Sequence, residues 1–98
     1  MEQFLTSVKL YVTFSVTFFH MLEPMEIKRR FSNNLKACRQ LSGMTQKEVA
    51  EKLHMARENY SRYERGVIEL DYYKMIQLCK ILKVTPNDLF DSCLDYKD

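Results

Sequence analysis

Hydrogen-bonding side chains are concentrated between residues 57 and 62 of this 98-residue chain. They comprise two arginines, a glutamate, an asparagine and a serine: Arg57, Glu58, Asn59, Ser61 and Arg62. Arginine matches the two acceptors of guanine, glutamate accepts from the amino group of cytosine, and serine or asparagine pairs with several base edges. On one helix, such side chains suit the major groove of duplex DNA. The competing interpretation is a polar surface that is simply exposed to solvent.

The residues before this stretch predict a first helix that ends at a tight turn. Thr45 followed three residues later by Glu48 is a capping box, in which the two side chains satisfy backbone N–H groups at the helix start. Apolar residues then recur at a spacing of three and four: Val49, Ala50 and Leu53. The pattern breaks at residues 54–56, so this helix has about two turns.

A second helix is predicted directly after the break. Its apolar positions are Tyr60 and Tyr63, whose spacing favours packing in the core over stacking on bases. It ends at Gly66, which adopts the left-handed conformation of a helix end without strain. A buried helix followed by one with a polar outer face is typical of a helix-turn-helix, here over residues 45–66.

The residues that carry a family resemblance stand at fixed spacing through this motif: Thr45-Gln46, Ala50 and Tyr63-Glu64-Arg65-Gly66. Over roughly residues 31–90 the chain resembles the lambda repressor/Cro-like (XRE-type) helix-turn-helix family. The resemblance implies an all-α, compact five-helix DNA-binding domain that acts as a transcriptional regulator and repressor. It also implies that the five polar residues of the second motif helix read bases: Arg57, Glu58, Asn59, Ser61 and Arg62.

Phosphate contacts are expected beside the reading helix. Gln46 lies at the N-terminus of the first motif helix, where backbone N–H groups and the helix dipole favour an anion, and the resemblance implies that it clamps the DNA backbone. Lys47 and Arg65 are further candidates. In part of the family, residues matching Arg39 and Glu64 form a salt bridge; the alternative is two unrelated surface charges.

Three residues depart from the family pattern. His54 stands where the turn usually has glycine, Ala56 where serine or threonine usually caps the reading helix, and Lys83 where glycine is frequent between the last two helices. A missing cap costs roughly 0.5–2 kcal/mol. We therefore expect the fold to be kept with modest stability.

Three more helices are predicted around the motif. The first runs from Met25 to a stop at Ser42-Gly43, with the apolar residues Ile27, Phe31, Leu35 and Cys38. The fourth repeats Tyr72, Met75, Ile76, Cys79 and Leu82. The fifth has a threonine cap and proline at its first position, followed by Leu89 and Phe90. Residues 25–92 are thus the predicted domain and residues 93–98 a polar tail.

Residues 1–24 form an N-terminal extension of strand-like pattern. Apolar residues fill the even positions from Val8 to Phe18 and polar ones most of the odd positions. A signal peptide or membrane span is disfavoured, because polar residues interrupt the apolar run and no small-residue cleavage site follows. Two interpretations remain: a working strand that pairs with a second subunit, or upstream sequence before a natural start at Met25. Glu23-Pro24 is expected to interrupt any continuous element here.

Charge is unevenly distributed along the chain. Residues 28–65 hold ten Lys or Arg against four Glu, whereas residues 66–98 hold four Lys against six acidic residues. A positive charge centred on the motif is the pattern expected for contact with phosphate. Helix faces of mixed sign that are merely solvated would give the same asymmetry.

Cysteine and histidine usage predicts neither a metal site nor a disulfide framework. Cys38, Cys79 and Cys93 form no C-x-x-C motif and are odd in number, so we expect free thiols in the cytoplasm. We also expect no cofactor, no small-molecule ligand and no membrane contact. No catalytic residue set is evident, so the chain is predicted not to be an enzyme.

The expected partner is double-stranded DNA with a palindromic operator, bound by a homodimer. The dimer surface is predicted on the fourth and fifth helices and the residues around them: Leu70, Tyr73, Ile81, Phe90 and Leu94. The extension is the rival surface. The alternative function is a protein-interaction module, such as an antitoxin that neutralises a partner toxin.

Overall fold

Five helices and the turns between them make up the residues that the computed structural model describes, 23–93. They are α1 (residues 23–41), α2 (Gln46–Lys52), α3 (Arg57–Glu64), α4 (Tyr72–Leu82) and α5 (Pro86–Leu89). No strand occurs among these residues, which confirms the predicted all-α, five-helix class. The strand-like extension, Leu94 and most of the tail lie outside the described residues.

Helix α1 extends further upstream than the sequence indicates. Glu23 and Pro24 are helical, so the expected interruption before Met25 is wrong. Proline fixes φ near the helical value and lacks only its N–H, which makes it compatible with an early helical position. The helix ends at Leu41, and Gly43 follows in the left-handed region with φ +74°.

Helix α2 begins with the predicted capping box and ends in a tight turn. Thr45 Oγ1 accepts from the backbone N–H of Glu48 at 3.1 Å, and Glu48 Oε1 accepts from that of Thr45 at 2.8 Å. Helix α2 ends in a Schellman motif, with Met55 N–H on Ala50 O and His54 in the left-handed region at φ +59°. That motif makes the tight turn to α3.

Helix α4 faces the core differently from the sequence pattern. Its buried residues are Leu78 and Leu82, while Tyr72 and Ile76 are 86% and 53% exposed. These two members of the apolar repeat therefore lie outside the core, because α4 is apolar on more than one side and packing selects the face. Lys83 ends the helix with a left-handed φ of +58°.

Helix α5 is a single capped turn held by α1. Thr85 and Asp88 form its capping box. Phe90 is the C-cap residue and lies just beyond the helix, rather than inside it as predicted. Asn34 Nδ2 donates to Leu89 O at 2.9 Å, which ties α5 to α1. Cys93, assigned by the sequence to the tail, is buried.

One apolar core joins the helices. Its buried members come from all five: Leu35, Val49, Ala50, Leu53, Tyr60, Tyr63, Leu78, Leu82 and Leu89. Ser32 Oγ donates to Tyr63 O at 2.9 Å and so fastens the end of α3 to α1. Gly66 follows at φ +72°, where a Cβ atom would lie only 3.1 Å from Ser32 Oγ. The packing therefore fixes the direction in which α3 projects.

Candidate nucleic-acid interface

Helix α3 turns a polar surface away from the core. Tyr60, Tyr63 and Glu64 are its buried residues. At 100° per residue, Glu58 and Arg62 lie opposite them, and both are exposed. The outward position of these two, one turn apart, suits contact with base edges.

The other three predicted base-reading residues surround that pair. Arg57 is exposed in the first turn, on the flank that faces α2. Ser61 is half-buried, and Asn59 is exposed on the opposite flank. At 100° per residue, Asn59 and Ser61 lie about 80° to either side of the direction midway between Glu58 and Arg62, and Arg57 lies about 120° from it.

Glu64 is buried in the centre of the motif, although it is charged. Its side chain is 2% exposed, and that of Arg39 is 11% exposed. Arg39 Nε lies 2.6 Å from Glu64 Oε2, and Arg39 Nη2 lies 3.1 Å from Glu64 Oε1. This is a bidentate ion pair, in which two parallel N–H groups match the two carboxylate oxygens. It joins the end of α3 to the last turns of α1.

Two neutral donors complete the surroundings of the Glu64 carboxylate. Tyr60 Oη donates to Oε2 at 2.6 Å, and Gln46 Nε2 donates to Oε1 at 2.9 Å. Burial by itself raises the pKa of Glu64, but the hydrogen bonds from Arg39, Tyr60 and Gln46 outweigh it and hold the pKa below its usual value. The carboxylate is thus ionised at neutral pH and accepts from four donors.

The same network reaches the surface through Gln46. Its Oε1 accepts from Arg57 Nη1 at 2.8 Å, while its amide nitrogen donates to Glu64. A phosphate-contact candidate and a base-reading candidate are therefore in direct contact. This bond brings the start of α2 and the start of α3 together on one surface.

The remaining phosphate candidates lie on either side of that surface. Lys47 is exposed in the first turn of α2. Arg65 is exposed at the C-cap of α3, and its Nε donates to Ser61 Oγ at 3.2 Å. Exposed basic residues therefore stand near both ends of α3.

Metal binding, membrane crossing and thiol chemistry depend on other features of the described residues. Between residues 23 and 93, no cluster of three or more His, Cys, Asp or Glu side chains has the arrangement of a metal site. Within the same range, no helix is both long and apolar enough to cross a membrane. Cys38, Cys79 and Cys93 are free thiols, and burial raises the pKa of each, which makes them poor nucleophiles.

The sequence profile of the helix-turn-helix family matches residues 35–89, more than half of the chain. The chain belongs to the helix-turn-helix family. The match begins at Leu35 in α1 and ends at Leu89 in α5. It therefore includes the ion pair, the motif and all of the buried core residues named above.

Several members of the helix-turn-helix family in Bacillus subtilis are similar in sequence. The uncharacterized HTH-type transcriptional regulator YqaE is 44% identical over 55 residues, which cover 56% of this chain and 47% of the relative. The HTH-type transcriptional regulator ImmR is 40% identical over 55 residues, which cover 56% of this chain and 43% of the relative. The SPbeta prophage-derived uncharacterized HTH-type transcriptional regulator YonR is 36% identical over 59 residues, which cover 60% of this chain and 55% of the relative. The matched segment thus spans about half the length of these relatives.

Sequence reasoning about this helix-turn-helix missed two parts of the network. It assigned Tyr60 to the core as an apolar residue, and the hydroxyl that reaches Glu64 was not anticipated. A hydroxyl four residues before a buried glutamate on the same helix was the available signal, because such residues share a face. The bond between Gln46 and Arg57 joins residues on different helices, and no local pattern indicated it.

Proposed function

We propose that this chain binds double-stranded DNA in a sequence-specific manner through α3 and regulates transcription as a repressor. The observation that carries the proposal is the polar outer surface of α3 joined to the start of α2. Arg57, Glu58 and Arg62 are exposed there, and Gln46 and Lys47 lie beside them.

This arrangement separates two kinds of contact. Side chains of α3 reach base edges in the major groove and specify sequence, whereas Gln46, Lys47 and Arg65 contact phosphates and set the position of the protein. Glu58 places a negative charge among them. It lowers the affinity for DNA in general and favours a base that presents a donor, such as cytosine.

Arg62 provides the direct test. Sites are selected from a random duplex pool, and affinity is then measured by fluorescence anisotropy over a range of salt concentrations. Arg62→Ala should weaken binding to the selected site by about 1–3 kcal/mol and relax preference at one base pair, with helical circular dichroism unchanged. Lys80→Ala, which removes an exposed positive charge from α4, is the matched control and should change the affinity little.

Two results would contradict the assignment. If Arg62→Ala bound the selected site as tightly as the parent protein, α3 would not be reading bases with its outer surface. If the chain bound no duplex with salt-dependent affinity, the protein-interaction alternative would be favoured instead, since neutralised phosphates make DNA binding fall steeply with salt.

A homodimer on a palindromic operator is part of the proposal. One helix reads only a few base pairs, and a two-fold dimer presents two copies about one helical turn, roughly 34 Å, apart. Helix α4 offers Tyr73 and Ile76, which are 69% and 53% exposed, and Phe90 is exposed just after α5. Leu70 and Ile81, also expected in this surface, are half-buried and pack against the core.

The dimer proposal is tested by sedimentation of the full chain. We expect a dimer that the pair Tyr73→Lys and Ile76→Lys converts to a monomer, because two charges on this surface oppose its burial. Deletion of residues 1–22 tests the rival surface and should leave the dimer intact. A monomer after that deletion would assign dimerisation to the extension.

The expected compartment is the cytoplasm, where the three cysteines remain thiols.

A further inference from the structure

Tyr60 combines complete burial with a hydrogen bond to a charged group. Its side chain belongs to the core, and its hydroxyl donates to Glu64 Oε2 at 2.6 Å. We propose that Tyr60 is a positioning residue for base recognition: acting through Glu64 and Gln46, its hydroxyl fixes the guanidinium of Arg57 on the DNA-facing side of α3. This inference rests on the proposed function.

The first step is the fixed orientation of the Glu64 carboxylate. Each oxygen accepts two hydrogen bonds, so Oε2 is held by Arg39 Nε and Tyr60 Oη, and Oε1 by Arg39 Nη2 and Gln46 Nε2. An ionised carboxylate has about four acceptor positions, and all are occupied here. Removing the Tyr60 hydroxyl frees one acceptor position on Oε2. The carboxylate can then rotate while it stays hydrogen-bonded to Arg39, and this rotation shifts Oε1.

The second step is the orientation of the Gln46 amide. Glu64 only accepts and Arg57 only donates, so the amide nitrogen must face Glu64 and the amide oxygen must face Arg57. The chemistry of the neighbours therefore removes the ambiguity between the two ends of an amide. One N–H of Gln46 is left over for a phosphate. A shift of Glu64 Oε1 would release this orientation.

The third step is the plane of the Arg57 guanidinium. This group is planar with five N–H donors in fixed geometry, and one donor of Nη1 is bound to Gln46 Oε1 at 2.8 Å. The other donors remain available for the paired acceptors of a guanine. Arg57 is exposed, so without this hydrogen bond its long side chain would be ordered only when DNA binds, and binding would bear the entropy cost. The network orders it beforehand.

The experiment uses the full chain and duplexes derived from the selected site. Affinities are measured for the parent, Tyr60→Phe, Arg57→Ala and the double variant, each on the selected site and on sites with single base-pair changes. Tyr60→Phe should lower affinity for the selected site about three- to tenfold, as expected when one preorganising hydrogen bond is lost. The loss should vanish on sites altered at the base pair that Arg57 reads, and in the Arg57→Ala background.

Arg62 supplies the matched control because it lies on the same helix and outside this chain of hydrogen bonds. In the Arg62→Ala background, Tyr60→Phe should still produce its full loss, so the two effects multiply. Thermal melting and circular dichroism establish the folded fraction of each variant at the assay temperature. Gln46→Ala, which cuts the link at the surface and also removes a proposed phosphate contact, should show a loss of which one part is coupled to Arg57 and no part is coupled to Arg62.

Several results would overturn the inference. A loss from Tyr60→Phe that is equal on every duplex, or equal with and without Arg57, would mean that the hydroxyl serves only the fold. The absence of any change in affinity would have the same meaning. A different failure, in which neither Arg57→Ala nor Arg62→Ala alters DNA binding, would contradict the proposed function itself, so the two failures are distinguishable.

Discussion

Removal of Arg39 should be among the most damaging single changes in this domain. Arg39→Met takes away two of the four hydrogen bonds on the Glu64 carboxylate and its cationic partner, while that side chain stays 2% exposed. Breaking a buried pair in this way costs about 3–5 kcal/mol. For a domain of this size, 1 kcal/mol shifts the melting temperature by roughly 4–8 °C. We therefore expect a decrease of about 12 °C or more.

Removal of Glu64 should destabilise the domain less than removal of Arg39. In Glu64→Leu, Arg39 keeps its hydrogen bond from Nη1 to Met44 O at 2.8 Å and its side chain is 11% exposed, so its charge retains a partner and some water. The double variant removes both charges but leaves the buried Tyr60 hydroxyl unpaired, at about 1–3 kcal/mol. Adding Tyr60→Phe should recover most of that loss.

Urea denaturation followed by circular dichroism measures this series of five proteins. The expected order of stability is parent, triple variant, double variant, Glu64→Leu and Arg39→Met. Losses from Arg39→Met and Glu64→Leu that simply add in the double variant would show two independent charges and refute the buried pair. A triple variant no more stable than the double would refute the role assigned to the Tyr60 hydroxyl.

Three further outcomes are expected. His54→Gly should raise the melting temperature, because relief of about 1–2 kcal/mol of left-handed strain at φ +59° exceeds the extra chain entropy of glycine. Ala56→Ser should raise the urea midpoint by supplying the cap that α3 lacks, about 0.5–2 kcal/mol; an unchanged midpoint would mean that the serine does not reach the first-turn N–H groups. Because the folded pKa of Glu64 is lowered from its usual 4.5, its stabilisation is complete above that pH and is lost as pH falls through the folded pKa. In Glu64→Gln, the free energy of unfolding should therefore fall less steeply as the pH is lowered. Hydrogen bonds from Arg29 and Arg30 lower the pKa of Glu26 to about 2. Glu26→Gln should nevertheless leave the pH dependence unchanged, because that group is exposed and its ion pairs are screened.

The helices and the turn of the motif were determined by local sequence. The capping box at Thr45 needs only a threonine and a glutamate three residues apart, and the end of α3 needs a residue at position 66 that tolerates positive φ. Such interactions form within one turn, so a short stretch of sequence contains all of their parts. The departure at His54 was readable for the same reason, and the structure indeed places it in the left-handed region.

Tertiary structure alone decided which side of α4 is buried and which further polar groups join the ion pair that the resemblance implied. Helix α4 is apolar on more than one side, and only packing against the other helices put Leu78 inside and Ile76 outside. Glu64 binds Gln46 and Arg39, which lie 18 and 25 positions before it in the chain. Their pairing depends on the relative placement of three helices to within the length of a hydrogen bond. No spacing along the sequence specifies that distance, because it is set by how the whole core packs.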